Sequence, residues 1–320
     1  MKNTTSFIKI PFALLNKNSV TPYNFNLYQL EASGHYRVLP QLIVESKEFN
    51  LNAYKTKRQP LFISKEDKNA FIEFIGLQSG GLGDGFSKDQ IKEAGALLSP
   101  FVEMVCAEIC SHLPVALRDQ FMTTENVLKQ TVQDIASEAQ GLSLMLRLFC
   151  SHDYLVTHSF LVSSLSFLLA NDQGYSAIER KSVAQGALLH DIGMLRIDEE
   201  VYIKPKLDEN DWQIMKAHPL IGEKMLSQLS HLHPIVMDII AGHHSQPNGR
   251  GYGRAGTELA HLVGTIDAFS TMIIPTPYRS LPFSPQEAWN SLREDEGHFD
   301  RGNVELIKDI LIQPHLKKAS

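Results

Sequence analysis

The spacing of hydrophobic and polar positions changes along the chain near residue 87. Before it the runs are short: "NLYQLEASGHYRVL" predicts two strands around a turn at Ser33 and Gly34, and "PLFIS" predicts a third strand. "KEDKNAFIEFIGL" has helical spacing. From Ser87 onward apolar residues recur every three or four positions, and no alternating run interrupts residues 87–275. The pattern predicts a mainly α protein with a small N-terminal α+β domain.

Capping residues predict where several helices begin. Ser176 with Glu179 forms a capping box, and Asp208, Pro234 and Thr257 each stand at the start of a later apolar periodic run. Residues 119–150 form a long amphipathic stretch. We expect it to be a long helix that packs on the bundle, with the seam of a homodimer as the alternative.

Four segments follow from this pattern. Residues 1–78 form the small α+β domain, in which we find no chemical motif and for which we expect a regulatory or protein-binding role. "QSGGLGDG" predicts a flexible Gly-rich linker over residues 79–86, because no Lys-Ser/Thr follows and the preceding segment is helical, unlike a phosphate-binding loop. Residues 87–150 are connecting helices, and residues 151–320 form a helical domain.

Composition narrows the function classes. The 320 residues carry a net charge of −6, which argues against bulk binding of nucleic acid or acidic membrane. No apolar run approaches ~20 residues, the length of a membrane span. The N-terminal apolar patch is broken by Lys9, Pro11 and Asn16, which makes a poor signal peptide, so a cytoplasmic location is expected. Cys106 and Cys110 are interpreted as small core residues in a reducing compartment.

A set of histidines and aspartates in helical context is the main chemical signal. "LLHDIGMLRID" carries His190 and Asp191 at the end of an apolar run, where ionised groups are costly. The other members of the set are His158, His218, His243, His244 and Asp267. Each alone could be a hydrogen-bonded core residue, but a single cationic centre would satisfy all of them. Asp191 can bridge two cations, and imidazole with carboxylate suits iron, manganese or zinc.

At these positions the chain from about 150 to 313 resembles the HD-GYP family of HD-domain metal-dependent phosphohydrolases. The resemblance rests on "HDIGM", "YIKPKLDENDWQIMKAHPLIGEKML", "GHHSQPNGRGYG", "IDAFSTMIIPTPYR" and "HFDRGNVELI", which follow the family's motifs in order. It implies an HD-domain helical bundle over residues ~87–320 that holds divalent metal ions, often iron. It also implies hydrolysis of cyclic di-GMP to pGpG or GMP, and it assigns ligand positions to all seven residues of the set.

Residue chemistry and the family resemblance together suggest roles for individual residues of the site. Asp191 is expected to bridge two metal ions that share an attacking hydroxide, and His218 or a metal-bound water could protonate the leaving 3′ oxygen. The candidate substrate residues lie on two loops: Lys204, Arg250, Gly251, Tyr252 and Arg254. The arginines could equally be solvated loop residues, and Tyr252 could be a loop anchor.

Several positions depart from the family pattern. Met194 replaces a lysine, Ser245 a glutamate, Gly253 a proline and Ser270 an aspartate. Tyr154 stands where members with three metals have a glutamate, so two metals are expected. The departures motivate an alternative function, a weakly active or inactive metal-bearing sensor or scaffold that binds a nucleotide or a protein partner. A hydrolase of another phosphate ester and a di-iron oxygenase are further alternatives.

Overall fold

The computed structural model describes residues 7–10, 25–31, 34–38, 61–64, 66–67, 70–71, 91, 95, 98–151, 153–198, 201, 204, 206–295 and 297–313. The chain forms two compact units. One comprises Met1–Phe101 and Gln133–Cys150, and the other comprises Val102–Val132 and Ser151–Ser320. The linker expected at 79–86 lies outside the described residues, as do most of the helical segments expected at 65–77 and 87–97.

The first unit contains a four-stranded antiparallel sheet in the order β1-β4-β2-β3. Its strands are β1 (Phe7–Ile10), β2 (Tyr28–Leu30), β3 (Tyr36–Val38) and β4 (Leu61–Ser64). The predicted hairpin is confirmed: β2 pairs with β3, and Gly34 in the turn has a φ of 82°, which glycine adopts without strain. Sequence reading missed β1, because its four residues pair with β4, which lies far away along the chain.

Helices account for most of the remaining described chain, as predicted. They are α1 (Ser99–His112), α2 (Val115–Met122), α3 (Glu125–Ile135), α4 (Ala139–Cys150), α5 (Asp153–Asp172), α6 (Ala177–Leu189), α7 (Glu209–Met215), α8 (His218–Leu226), α9 (Pro234–Gly242), α10 (Glu258–Ile273), α11 (Pro285–Glu294) and α12 (Arg301–Leu306). A 3₁₀ turn, Ile192–Arg196, follows α6, and a π-helical turn, Ile307–Ile312, follows α12.

The expectation of one long helix over residues 119–150 is wrong. The stretch is divided into the end of α2, α3 and α4, with breaks at Thr123–Thr124 and between Ile135 and Ala139. At the first break both threonine hydroxyls donate to carbonyls three residues earlier, and Ser137 does the same at the second. Such local bonds compete with the helical ladder. No continuous helix is therefore available there for a dimer seam.

The predicted helix starts are confirmed. Ser176 and Glu179 form a reciprocal capping box, and Asp208 caps α7 in a second one. Pro234 is the first residue of α9, and the Thr257 hydroxyl accepts from the backbone of Ala260 in α10. Each cap satisfies donors that the first helical turn leaves unpaired.

Helix α5 is the central helix of the second unit. Its face buries Phe160, Leu161 and Leu165, and the Ser163 hydroxyl donates to the Ala184 carbonyl of α6 at 2.8 Å. Among the described residues, Tyr154–Asp172 is the one stretch long and apolar enough to cross a membrane, although the sequence analysis expected none. Since 72% of the apolar window is buried within the protein, core packing accounts for its composition.

Candidate metal centre

The structure brings the seven predicted donors together in two groups. One contains Asp191, His218, His243 and His244, and the other contains His158, His190 and Asp267. Within each group the potential ligand atoms lie within 4.8 Å of one another. They come from α5, the end of α6, the start of α8, the end of α9 and the middle of α10.

The Asp191 carboxylate is shared between the two groups. Its Oδ1 lies 3.1 Å from Nε2 of His218 and 3.9 Å from Nε2 of His243. Its Oδ2 lies 3.3 Å from Nε2 of His190 and 3.9 Å from Nε2 of His158. A carboxylate whose oxygens face two donor sets has the geometry needed to bridge two cations.

Asp267 completes the second group from the opposite side. Its Oδ1 lies 2.9 Å from Nε2 of His158 and 3.8 Å from Nε2 of His190. The side chain projects from the middle of α10, in an otherwise apolar segment. The two imidazoles are therefore held between two carboxylates.

Backbone carbonyls orient three of the imidazoles. Nδ1 of His190, His218 and His243 donates to the carbonyl three residues earlier, at 2.8, 2.7 and 2.9 Å respectively. A neutral histidine that donates through Nδ1 has a lone pair on Nε2. The backbone carbonyls at these helix ends thus direct three Nε2 atoms toward the donor groups. Hydrogen-bond partners that orient ligand histidines in this way are usual at metal sites.

Buried histidine nitrogens that form no hydrogen bond indicate whether the two donor groups suit cations. Nε2 of His190 and Nδ1 of His158 are buried and form none. Nε2 of His218 lies 3.2 Å from Nε2 of His243, and two imidazole nitrogens in contact can share only one proton. Cations at the two groups would satisfy the Nε2 atoms of His190, His218 and His243, so the donor set fits divalent metal ions.

Charge interactions show that the groups form one electrostatic unit. Burial by itself lowers the pKa of His190, but the Asp191 carboxylate beside it raises that pKa to about 9. Burial raises the pKa of Asp191, yet His190 and His218 hold it well below its usual range. Burial and neighbouring histidines lower the pKa of His243 well below its usual value, and burial lowers that of His244 to about 4.

Two glycines let the helices of the site approach closely. A Cβ on Gly193 would overlap the His218 carbonyl oxygen, and a Cβ on Gly264 would overlap the His243 carbonyl oxygen. Only glycine fits where one backbone lies directly against another. Gly193 therefore brings the turn after Asp191 against α8, and Gly264 brings α10 against the end of α9.

The loop after the paired histidines supports Tyr252 beside the site. The Tyr252 ring stacks on His244, with centroids 4.5 Å apart, and burial raises the pKa of its hydroxyl. Gly251 has a φ of 91°, and a Cβ there would overlap the His244 carbonyl oxygen. Gly251 thus lets the loop backbone pass close to His244, and the Tyr252 side chain faces the donor group.

Gly253 stands where the family pattern has a proline, and the structure holds the loop close to α9 at this position. Its φ of 86° is a conformation that proline cannot adopt, and a Cβ would overlap the Ala241 carbonyl oxygen. The next amide, of Arg254, donates to that same carbonyl at 2.7 Å. The loop is pinned to the end of α9 through this close approach.

The basic residues that the sequence suggested for substrate binding contact groups outside the two donor groups. Lys204 Nζ lies 2.7 Å from Asp211 in the capping box of α7, and Arg254 pairs with Glu223 of α8 at 2.5 Å. Arg250 lies exposed on the loop, where its amide donates to Asn248. Neither ion pair involves a residue of the two donor groups.

The remaining departures have structural counterparts. Met194 is buried in the 3₁₀ turn, and the Tyr154 ring stacks on His158 with centroids 5.5 Å apart. The Ser245 hydroxyl lies 3.1 Å from Nε2 of His261, and the Ser270 hydroxyl is buried without a hydrogen bond. Uncharged side chains thus stand at these four positions: one is apolar, one is aromatic and two carry hydroxyl groups.

The sequence analysis did not single out His298 and Phe299, which line a cavity next to the donor groups. This cavity, of about 180 Å³, is bounded by His243, His244 and Asp267 of the donor groups and by other residues that include His261, His298 and Phe299. The signal was present in "HFDRGNVELI", but nothing local relates this segment to α9 and α10. Only the packing of α12 against α10 brings the segment near.

Comparison with known proteins confirms the predicted resemblance: residues 155–272 match the HD domain family. A cyclic di-GMP phosphodiesterase of Pseudomonas aeruginosa is 28% identical over 166 residues, covering 50% of this chain and 40% of that protein. A 3′3′-cGAMP-specific phosphodiesterase of Vibrio cholerae is 32% identical over 133 residues, covering 40% and 29%. The chain spans less than half the length of these two relatives.

Among solved structures, an HDG"Y"P protein from Bdellovibrio bacteriovorus is 21% identical, with a TM-score of 0.47 over 96% of this chain and 99% of that one. The match to the HD domain family and the two His/Asp groups together indicate divalent-metal binding.

Proposed function

We propose that this chain, which contains an HD domain, is a dinuclear-metal phosphodiesterase that hydrolyses cyclic di-GMP to pGpG or GMP. The observation that carries the proposal is the Asp191 carboxylate, whose two oxygens face two separate donor groups. Relatives named as cyclic di-GMP and 3′3′-cGAMP phosphodiesterases support a cyclic dinucleotide as the substrate class.

The proposed metals are two divalent ions, iron in the first instance, with manganese or zinc as alternatives. Imidazole and carboxylate donors without thiolate suit these ions. Bound at the two groups, such ions would lower the pKa of coordinated water and offset charge on the phosphate.

The chain's own residues would hold and orient the reacting groups. The carbonyls behind His190, His218 and His243 fix the directions of these rings. Tyr252 stays protonated because burial raises its pKa, so its hydroxyl can donate to a phosphate oxygen. Arg250, exposed on the same loop, can contact a second phosphate of the ring.

The test is turnover by anaerobically purified protein whose metal content has been measured. Cyclic di-GMP and 3′3′-cGAMP are supplied separately, and linear products are separated by chromatography. Formation of pGpG by the metal-loaded protein, and its loss on chelation, is the expected result. Full occupancy of both sites without linear product from either dinucleotide would rule the proposal out.

A second candidate function is a metal-bearing sensor or scaffold that binds a nucleotide or a protein partner with little turnover. Its support is that Lys204 and Arg254 are already paired with Asp211 and Glu223, while Met194 replaces a lysine. Calorimetric binding of cyclic di-GMP without product formation would favour it over the hydrolase.

The proposal also covers the location and the partners of the protein. We expect a cytoplasmic protein, a protein partner for the N-terminal α+β domain, no bulk nucleic-acid binding and, as a further option, a homodimer. Light scattering coupled to size-exclusion chromatography measures the oligomeric state. Cell fractionation measures the location.

A further inference from the structure

A second cavity, of about 270 Å³, is linked to the donor groups through Tyr154. Tyr154 lines this cavity, and its ring also stacks on the His158 ring, with centroids 5.5 Å apart and planes at 15°. Burial raises the pKa of the Tyr154 hydroxyl, and the carboxylates of Asp267 and Asp191 add to the rise. Since His158, Asp267 and Asp191 are all predicted ligands, one side chain borders both the metal centre and the cavity.

Most of the cavity wall is apolar. It is supplied by Ile109 of α1, by Ile274, Pro275 and Pro277 after α10, and by Tyr154. An apolar cavity of about 150 Å³ holds one benzene ring, so this larger one has room for two fused rings. Aromatic side chains stack on planar heterocycles such as nucleic-acid bases. The wall therefore suits a flat, mostly apolar ligand of the size of a base.

Two polar side chains add hydrogen-bonding groups to this wall. Glu108 lines the cavity with its side chain 43% exposed, and its Oε1 lies 3.5 Å from Nε2 of His112, one turn later on α1. A carboxylate has about four lone-pair sites, so this contact leaves room for further donors. Thr276 also lines the cavity, and its buried hydroxyl forms no hydrogen bond. The cavity thus offers a strong acceptor and a hydroxyl donor.

This combination matches guanine better than adenine. Guanine carries two adjacent donors, N1–H and the N2 amino group, and both oxygens of one carboxylate can accept from them. Its O6 and N7 are acceptors, which suit a hydroxyl donor. Adenine has an acceptor, N1, beside its amino group, and a carboxylate repels the lone pair of that nitrogen. A carboxylate in the wall therefore selects guanine.

We propose that this cavity receives a guanine base, whose N1 and N2 donors bond to the Glu108 carboxylate. The inference rests on the proposed function, because the proposed substrate carries guanine. The base comes either from cyclic di-GMP held at the donor groups or from a free guanine nucleotide such as the product GMP. In both cases Glu108 is a specificity-determining residue.

The first arm of the test measures kcat and KM of the metal-loaded protein for cyclic di-GMP and for cyclic di-AMP. Glu108→Gln keeps the shape of the side chain but replaces one acceptor oxygen by an amide that opposes a guanine donor. It should reduce the preference for cyclic di-GMP in kcat/KM by roughly 10–100-fold. The change should lie in KM, with kcat for cyclic di-GMP and the metal content equal to wild type.

The second arm measures calorimetric binding of GMP and of AMP by the same proteins, which needs no turnover. Tighter binding of GMP than of AMP by the wild type, reduced in Glu108→Gln, would assign the cavity to a free nucleotide. A preference that Glu108→Gln reduces in the first arm alone would assign it to a base of the substrate. Both results support guanine recognition by Glu108.

Glu103→Gln is the matched control, because Glu103 lies on the same helix, pairs with Lys129 at 2.7 Å and is not among the residues that line the cavity. It should keep the wild-type preference in both arms. His112→Gln removes the ion pair but leaves the Glu108 carboxylate, so it should keep the preference too.

Two outcomes would overturn the inference. One is a wild-type protein without a guanine preference in either arm, and the other is a preference that Glu108→Gln leaves unchanged or that Glu103→Gln lowers equally. The proposed function fails separately, if the metal-loaded wild type hydrolyses no cyclic dinucleotide. Guanine-selective binding of GMP that depends on Glu108 would still support the cavity assignment in that case.

Discussion

Oδ1 of Asp191 lies 3.1 Å from Nε2 of His218, which joins the turn after α6 to the first residue of α8. Oδ2 of the same side chain faces His190, in the other donor group. One carboxylate therefore belongs to both groups. Its charge is held by His190 and His218, which lower its pKa well below the usual range.

Asp191→Asn should release both metal ions, because the amide keeps the shape but loses the charge that both groups share. Elemental analysis of the purified variant should show a loss at both sites together. Asp198→Asn is the control, because Asp198 is exposed and belongs to neither group. Retention of the wild-type metal content by Asp191→Asn would contradict a bridging role.

Gly264→Ala should separate α10 from the end of α9, because its Cβ would overlap the His243 carbonyl oxygen. Overpacking of this kind costs roughly 1–3 kcal/mol in the free energy of unfolding. Denaturant unfolding of the metal-free protein measures it, and metal affinity should fall as His243 moves. Gly95→Ala serves for comparison, since its Cβ meets its nearest neighbour at 3.4 Å. Equal stability of the two variants would argue against tight packing at Gly264.

Gly253→Ala and Gly249→Ala should differ although both glycines have positive φ, 86° and 78°. Each substitution adds the left-handed strain of about 1–2 kcal/mol. Only the Gly253 Cβ also meets backbone, the Ala241 carbonyl oxygen, whereas the Gly249 Cβ has open space. Thermal unfolding should therefore show the larger loss for Gly253→Ala. Indistinguishable melting temperatures would show that the loop is not pinned at Gly253.

The metal-free protein should lose stability on both sides of pH 6.5, the ordinary histidine pKa. His190 has a raised pKa of about 9, so its contribution is complete below 6.5 and disappears as the pH rises through 9. His244 has a lowered pKa of about 4, so stability falls as the pH drops from 6.5 toward 4. Urea midpoints across this range measure both limbs.

Single substitutions separate the two limbs. His190→Gln should flatten the alkaline limb, because it removes the group that titrates there. His244→Gln should make the acid limb shallower, and the rest of that limb comes from His243, whose pKa is also lowered. Metal uptake should improve between pH 6.5 and 9, since His190 must lose its proton to become a ligand. An alkaline limb that persists in His190→Gln would assign it to another group.

Local signals carried much of the fold prediction. The capping box at Ser176 and Glu179 and the cap at Thr257 were readable, because a cap involves residues three apart on one turn. The hairpin of β2 and β3 was readable for the same reason. The breaks within residues 119–150 were missed, because the apolar period continues across Thr123 and Ser137 while their hydroxyls end the helices.

The sequence alone determined which side chains could hold cations, since imidazole and carboxylate chemistry at apolar helix ends is a property of residue type and position. Tertiary structure decided that these side chains form two donor groups, both of which Asp191 faces. It also placed His298 in the wall of the cavity beside them. That arrangement depends on backbones meeting at Gly193 and Gly264 and on α12 packing against α10. Contacts between residues far apart in sequence cannot be predicted from a local period or a cap.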